Sequence, residues 1–541
     1  MQDCLFRSFL SEQGVLLAGI LSQFEPAHTA HHKTMPALRR SKRTRTKSRV
    51  LADASSPSQK TKKTSQKTKP TSRRSSSRTK SSTVIRSTVP SEPKIGHYTL
   101  SQVDRSLLKT ALVEYKYISP PKSICEQLYL VKFWDRVAET YPEWLAPNTV
   151  TFFGYLCSVA CVAMTLYFNG TFPDWYWLVA AALLCAYQTA DGSDGPQARR
   201  LRCGSALGEL FDHGVDAIVT TFISFITLFC CGYGMSTPIS PIMFVCTMSA
   251  FFFSNATLLH TSCQLFNPID AQEIQLTAQA LMVATYVFGQ EQLWKYAIPL
   301  PVSMGTFVNQ HLSYVAQHVN LYVVPALGAE ESHSYIELRG FLTPIVICAT
   351  LVNSVGACNH IRAHYANVDA SVRVTGRTLP EFWHQVCSML LFFGIMIVTW
   401  FRTEVAVTST HDGLAASSTY AFRLWFLSAC FAYADHVNHV LVLRVAKIPF
   451  PSLVRTRCIW LMSLFGIWTE LGNRAVMEGG AGADSPFVVY GDVGRGIIFL
   501  LCFGSHLYYS VTVGGAIAQS LGVQFFFVPV EKQQAFLKSK K

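Results

Sequence analysis

Four aspartates lie close together in an otherwise apolar part of the chain, and they constrain the fold more than any other feature. They stand at positions 191, 194, 212 and 216 of the stretch DGSDGPQARRLRCGSALGELFDHGVD. Apolar runs long enough to span a membrane recur around them, from residue 148 to residue 517. Because a carboxylate at membrane depth is costly, a group of four indicates a functional site within a membrane domain.

The spacing of these aspartates predicts that they meet. Asp191 and Asp194 share one face of a helix with Ala198, and Asp212 and Asp216 share one face with Gly208. Two helix ends joined by a short basic loop would therefore aim four carboxylates at one point. Carboxylates this close repel one another, so the cluster requires cations, and ligands that are all oxygen favour Mg²⁺ or Mn²⁺ over zinc.

The composition predicts an all-α, polytopic integral membrane protein. Half of the 541 residues are hydrophobic and only 15% are charged. We expect about ten transmembrane helices, beginning near residues 148, 175, 206, 241, 276, 343, 382, 421, 456 and 493. The stretch 300–322 contains several amides and histidines, so we assign it to an interfacial or loop helix outside the bilayer.

The positive charge belongs to the first part of the chain. The net charge is +13, yet residues 33–94 alone contain nineteen Lys or Arg against two Asp or Glu. This composition predicts a disordered cytosolic tail over residues 1–95. The tail has three alternative roles: it enforces topology, it touches anionic lipid, or it binds nucleic acid. No aromatics are interleaved with its charges, so we expect no nucleic-acid partner.

The rest of the chain divides into three parts. Residues 96–147 are rich in Trp and Tyr and predict a juxtamembrane interfacial segment. Residues 148–530 form the membrane domain, and residues 531–541 form a cytosolic C-terminal tail. With a cytosolic N-terminus, the basic loop that holds Arg199, Arg200 and Arg202 is cytosolic, so the active site faces the cytosol.

The aspartate stretch resembles the signature of a known family. Its residues read D-x-x-D-G-x-x-A-R-x8-G-x3-D-x3-D, and this pattern is similar to that of the CDP-alcohol phosphotransferases, which are integral membrane enzymes of phospholipid synthesis. The fillers QARR and GELFDHG resemble the choline/ethanolamine phosphotransferase branch. The resemblance covers roughly residues 98–530. It departs at Pro196, where the branch often has a lysine, and it does not extend to the first 95 residues.

The resemblance implies a reaction and a set of roles. It implies transfer of phosphocholine or phosphoethanolamine from CDP-choline or CDP-ethanolamine to the hydroxyl of diacylglycerol or alkyl-acylglycerol, with release of CMP. It also implies an endoplasmic reticulum or Golgi membrane. Two metal ions held by the four aspartates would bridge the pyrophosphate. Asp216 would be the general base, and Arg199 would contribute a fixed cation for the phosphate.

Other candidate residues surround the signature. Gly195, Ala198 and Gly208 leave room for a nucleotide, although small residues also serve simple helix packing. His213 either assists proton transfer or hydrogen-bonds a ligand carboxylate. Asn148 resembles a nucleotide-proximal position of the family, and Glu273 in AQEIQ resembles part of a polar motif of this branch. Both are candidates for substrate binding, and a capping or interfacial role is the alternative for both.

Two further features favour a structural explanation. His436 and His439 lie in the apolar segment DHVNH without a cysteine nearby, so we interpret them as packed or hydrogen-bonded histidines. The sixteen cysteines include no C-x-x-C pair, which leaves zinc ribbons and thioredoxin-like sites unsupported. Most of the cysteines are expected to be small apolar residues within helices.

Two other functions remain as alternatives. The first is another phosphatidyltransferase of the same superfamily that uses CDP-diacylglycerol as donor. The second is a membrane transporter with an intramembrane carboxylate cluster, although no internal repeat is visible. The sequence distinguishes neither choline from ethanolamine nor a monomer from a homodimer.

Overall fold

The structure is a computed structural model of the whole chain, and it describes most of the residues after position 121. The described ranges are 122–235, 237–264, 271–301, 321–324, 333–368, 377–408, 415–446, 457–479 and 486–539. All of them fall within one compact unit, Glu92–Lys541. The predicted disordered tail and the first part of the juxtamembrane segment lie outside the described residues.

Helices dominate these ranges. A π-helical turn, Glu126–Leu130, leads into the first α-helix. The α-helices are α1 (Val131–Thr140), α2 (Pro147–Phe168), α3 (Trp175–Arg200), α4 (Ala206–Cys230), α5 (Ile239–Thr261), α6 (Ala271–Phe288), α7 (Gln290–Trp294), α8 (Leu342–Asn367), α9 (Leu379–Thr408), α10 (Ala415–Val445), α11 (Arg457–Gly479), α12 (Pro486–Leu521) and α13 (Val530–Ser539). The fold class predicted from the sequence, a helical polytopic membrane protein, is confirmed.

Ten of the described α-helices have 18 or more residues, and they begin close to the ten predicted starts. In seven of the ten, the helix or a segment of it is long and apolar enough to cross a membrane. Helices α3, α6 and α11 do not meet this condition. Helix α3 differs because its last third carries Asp191, Asp194, Arg199 and Arg200. The count of ten spans therefore stays a prediction.

A small antiparallel sheet was not predicted from the sequence. Strands β1 (Ala297–Leu300), β2 (Leu321–Val324) and β3 (His333–Glu337) pair in the order β1-β3-β2. The predicted helix over 300–322 is wrong at both described ends, because these ends belong to β1 and β2, while 302–320 lie outside the described residues. The backbone partners of both strands lie in β3, a non-local pairing that a local polarity pattern does not reveal.

Helices α3 and α4 carry the signature, and both pack against α2. Gly154 of α2 allows the close approach to α3, because a Cβ atom there would lie 2.8 Å from the Cβ of Ala190. Helix α4 begins where the Ser205 hydroxyl accepts a hydrogen bond from the backbone N–H of Gly208 at 3.2 Å. On its other side α4 packs against α10, where the rings of Phe225 and Phe426 stack at 4.1 Å.

The chain returns to the start of α2 after the last long helix. The Thr149 hydroxyl donates to the carbonyl oxygen of Phe526 at 2.7 Å, and Phe527 forms an antiparallel bridge with Leu145. The Phe525 ring meets the ring of Phe211 on α4 with 4.9 Å between centroids. The segment after α12 thus joins the cytosol-facing ends of α2 and α4, as the predicted topology orients them, before the short helix α13 begins.

Replacing Gly154 with alanine should loosen the contact between α2 and α3. The added methyl group would meet Ala190, and overpacking of this kind costs about 1–3 kcal/mol. We expect Gly154→Ala to lower the melting temperature of the detergent-purified protein. Gly394→Ala is the matched control, because no atom lies within 4 Å of its Cβ position. Equal melting temperatures for the two variants would contradict the close packing.

Candidate active site

Three of the four signature aspartates converge between two helices. One carboxylate oxygen each from Asp191 on α3 and from Asp212 and Asp216 on α4 lies within 4.8 Å of the others. Among the residues that the structure describes, this is the one group of His, Cys, Asp or Glu side chains with such spacing. The two helices run antiparallel through the loop 201–205, so both helical faces reach the same level, as the spacing predicted.

Each of two carboxylates in the signature accepts a hydrogen bond from a neighbouring hydroxyl. The Tyr187 hydroxyl donates to Oδ1 of Asp216 at 2.6 Å. The Thr151 hydroxyl donates to Oδ2 of Asp194, which is buried and lies outside the group of three. Hydroxyl donors at these places fix the direction of the carboxylates and stabilise their charge.

The donor set suits a hard divalent cation. Oδ1 of Asp212 is buried and has no hydrogen-bond partner among the described residues. A buried carboxylate oxygen without a partner is costly, and a cation at the convergence point would remove that cost. The ligands are all oxygen atoms, which matches the preference of Mg²⁺ and Mn²⁺. The residues therefore fit the predicted metal site.

Adjacent charged residues have different roles at the end of α3. Arg200 donates from Nη1 to the carbonyl oxygens of Tyr141 and Ala138, at 2.8 and 3.1 Å. It thereby fixes α3 to the turn between α1 and α2. The Arg199 side chain is 68% exposed, and its nearest acidic partner is Asp135 at 3.7 Å. Arg199, which the sequence analysis assigned to the phosphate, thus remains open to solvent beside the signature.

The predicted small residues lie around the same level. Gly195 faces the Arg199 guanidinium, with 3.4 Å between its Cβ position and Nη1. Gly208 faces Asn148, whose Oδ1 lies 3.5 Å from the Gly208 Cβ position. Ala198 is partly buried, and its carbonyl oxygen accepts from the N–H of Cys203 as α3 ends. Asn148 and Gly208 are therefore neighbours, although they are sixty positions apart.

His213 and Glu273 make contacts of their own. Nδ1 of His213 lies 3.2 Å from Oδ1 of Asn255 on α5. Oε1 of Glu273 accepts a hydrogen bond from the backbone N–H of Cys125 at 2.8 Å. Cys125 lies at the start of the helical stretch that continues through the π-helical turn into α1, and we call this stretch the juxtamembrane helix. The roles of His213 in proton transfer and of Glu273 in substrate binding stay predictions.

Three residues next to the site were missed by the sequence analysis. Trp134 of α1 is buried and covers Gly192, where a Cβ atom would lie 2.1 Å from the indole. Tyr187 and Thr151 supply the hydroxyls described above. Tyr187 stands four positions before Asp191, and this spacing places it on the aspartate face of α3. The other two could not be found by spacing, because they come from other helices.

The histidines of the DHVNH segment do not join the site. Nδ1 of His439 lies 3.0 Å from the hydroxyl of Tyr509. His436 is buried in α10. Neither belongs to the group of converging ligands among the described residues. A hydrogen-bonded and packed environment was the interpretation favoured by the sequence.

The fold and the site together define a polytopic membrane protein with a carboxylate centre between two helices. Comparison with known proteins places this centre in a family: residues 144–309 match the family model of the CDP-alcohol phosphatidyltransferases. This part of the chain is therefore similar to a CDP-alcohol phosphatidyltransferase domain, and the resemblance seen in the signature is confirmed.

Characterised relatives share about a third of their residues with this chain over the matched region. Cholinephosphotransferase 1 of Danio rerio is 34% identical over 204 residues, which are 36% of this chain and 52% of the relative. Choline/ethanolaminephosphotransferase 1 of Saccharomyces cerevisiae is 32% identical, covering 34% and 48%. Ethanolaminephosphotransferase 1 of Homo sapiens is 31% identical, covering 33% and 48%. The matched region thus spans about half the length of these relatives.

Placing a methyl group on Gly192 should disturb the site through α1. The Cβ atom of Gly192→Ala would collide with the Trp134 indole, a rigid and buried side chain. We expect loss of divalent-metal binding and a lower melting temperature in detergent. Trp134→Val removes the obstacle, so the double variant Gly192→Ala/Trp134→Val should recover metal binding relative to Gly192→Ala alone. Failure of this rescue would show that Gly192 acts independently of Trp134.

Proposed function

We propose that the protein is a metal-dependent CDP-alcohol phosphotransferase. It transfers phosphocholine or phosphoethanolamine from the CDP-alcohol to the free hydroxyl of diacylglycerol or an alkyl-acyl analogue. The products are CMP and phosphatidylcholine or phosphatidylethanolamine. The single observation that carries the proposal is the convergence of Asp191, Asp212 and Asp216, which are all signature positions. The names of the relatives support the choice of head groups.

The acidic residues have different roles in the proposed reaction. Asp191, Asp194, Asp212 and Asp216 would hold two Mg²⁺ or Mn²⁺ ions. When bound, these ions neutralise charge on the pyrophosphate and on the leaving CMP. Asp216 accepts the proton of the attacking lipid hydroxyl, and the hydrogen bond from Tyr187 to its Oδ1 orients the carboxylate. His213 lies next in sequence to Asp212 and is the candidate for passing this proton on.

The donor is bound by small residues and one cation. Gly195, Ala198 and Gly208 leave space along the helix backbones, and Asn148 beside Gly208 offers an amide to the nucleotide. Arg199 is exposed beside Gly195 and can swing onto a phosphate, where its planar guanidinium binds two oxygens at once. Glu273 supports this arrangement from α6 by holding the start of the juxtamembrane helix.

The acceptor arrives from the membrane. Seven described helices are suited to spanning, so the domain is embedded where diacylglycerol resides. The site lies toward the end of α3 and the start of α4, beside the basic loop 201–205, which we infer to be cytosolic. A soluble CDP-alcohol reaches this level from the cytosol, and the lipid reaches it from the leaflet. We place the protein in the endoplasmic reticulum or Golgi membrane.

The experiment that tests the proposal is a donor and acceptor assay on the purified full-length chain. We expect CMP release and phospholipid formation from both CDP-choline and CDP-ethanolamine with diacylglycerol, dependent on Mg²⁺ or Mn²⁺. Use of CDP-diacylglycerol with neither CDP-amine accepted would move the protein to the other branch. Absence of CMP release with every donor would favour a transporter. Light scattering of the same sample decides between monomer and homodimer.

Asp216→Asn tests the general base. The change removes a charge but keeps the size of the side chain, so insertion and monodispersity should persist. We expect activity to fall by at least about 10²-fold, in the lower range for loss of a general base. Asp174→Asn is the matched control and should retain activity. Asp174 is exposed and directly precedes α3, at the end of that helix opposite to the signature. Half of the wild-type activity in Asp216→Asn would refute the assignment.

The orientation of the site is tested by cysteine labelling. Gly204 is exposed in the loop 201–205, and no atom lies within 4 Å of its Cβ position. In a background where the native cysteines are replaced by serine, Gly204→Cys should react with an impermeant reagent added outside sealed microsomes. Reaction only after the microsomes are permeabilised would reverse the proposed topology.

A further inference from the structure

Tyr187 makes a contact that the signature does not include. Its side chain is 2% exposed and packs against Val215 and Val219 of α4. Its hydroxyl donates to Oδ1 of Asp216 at 2.6 Å. A short bond from a neutral hydroxyl to a carboxylate is a strong, direction-setting interaction. Tyr187 is therefore built into α3 so that it reaches a functional group of α4.

The position of this bond matters because the two aspartate-bearing helices otherwise touch each other little. Helices α3 and α4 both pack against α2, and the carboxylates of Asp191, Asp212 and Asp216 converge between α3 and α4. Tyr187 and Asp191 are one turn apart on the same face of α3. The Tyr187 bond thus joins α3 to α4 beside the converging oxygens and orients the Asp216 carboxylate relative to Asp191.

The bond also gives the two carboxylate oxygens of Asp216 different environments. Oδ1 accepts the hydrogen bond from Tyr187, which distinguishes it from Oδ2 and fixes the plane of the carboxylate. Asp212 has the opposite arrangement, because its buried Oδ1 has no hydrogen-bond partner among the described residues. Loss of a neighbour that orients a metal ligand in this way typically lowers metal affinity by about 10- to 100-fold.

We propose that Tyr187 is a positioning residue of the active site, which holds Asp216 in the orientation that binds the divalent cation. This inference rests on the proposed function, because it assigns a role at the same metal site. Tyr187 touches neither substrate nor metal directly and acts through Asp216. Without its hydroxyl, the Asp216 carboxylate rotates freely and the convergence with Asp191 and Asp212 is lost for part of the time.

The test is a comparison of metal affinity without substrate. Mn²⁺ binding to the purified full-length protein is measured by electron paramagnetic resonance, alone and with CMP. Tyr187→Phe keeps the packed ring and removes only the hydroxyl, so we expect Mn²⁺ affinity to weaken by about 10- to 100-fold. Tyr155→Phe is the matched control. Tyr155 packs against the same hydrophobic cluster, but its hydroxyl bonds none of the four aspartates, so wild-type affinity is expected.

A double-mutant cycle separates positioning from general stability. If Tyr187 acts through Asp216, then Tyr187→Phe should weaken Mn²⁺ binding much less in an Asp216→Ala background than in the wild type. A purely structural tyrosine would lower the melting temperature while Mn²⁺ affinity stayed the same. If Tyr187→Phe fails to fold, Tyr187→Met, which is flexible and has no hydroxyl, measures the same coupling against the Asp216→Ala background.

The outcomes distinguish this inference from the proposed function. Unchanged Mn²⁺ affinity in Tyr187→Phe, or equal losses in both backgrounds, overturns the role of Tyr187 even if the transferase is active. A wild-type protein that binds no Mn²⁺, alone or with CMP, also overturns it. Weakened Mn²⁺ binding in Tyr187→Phe, with no transfer by the wild type from any CDP-alcohol, supports Tyr187 and refutes only the proposed reaction.

Discussion

The cost of placing several carboxylates inside a membrane domain governs this structure. Asp191, Asp212 and Asp216 converge within one group, and Asp212 keeps a buried oxygen without a partner. Burying such a cluster destabilises the folded state unless its charge is neutralised, either by bound cations or by protonation. The surrounding helices are arranged around that requirement. They supply hydroxyl donors to two of the carboxylates and leave the convergence point open to a cation.

Close helix packing is the means by which the cluster is held. Gly154 brings α2 against α3, and Gly192 lets Trp134 of the juxtamembrane helix lie directly over the signature. Arg200 then fixes the end of α3 to the turn before α2. The small residues are needed where a neighbour approaches too closely for a side chain, and the large aromatic side chain fills the remaining space. Positions outside the carboxylate cluster therefore influence the distances within it.

The C-terminal segment completes the same region from the other end of the sequence. The carbonyl oxygen of Phe526 accepts a hydrogen bond from the Thr149 hydroxyl. The Phe525 ring packs on the ring of Phe211, which directly precedes Asp212 in the sequence. Residues of α2, of α4 and of the segment after α12 thus meet beside the carboxylates. The helices after the matched region 144–309 thus belong to the same compact unit as the carboxylates.

The sequence by itself determined the helical membrane fold, the approximate starts of the long helices and the meeting of Asp191, Asp212 and Asp216. These follow from hydrophobic length and from helical spacing, which are local properties of the chain. Only the tertiary structure decided the antiparallel sheet of 297–337, the bond from Tyr187 to Asp216 and the cover of Gly192 by Trp134. Each of these contacts joins segments that are distant in the chain or lie on different helices. A contact between two elements produces no periodic pattern in the sequence of either element.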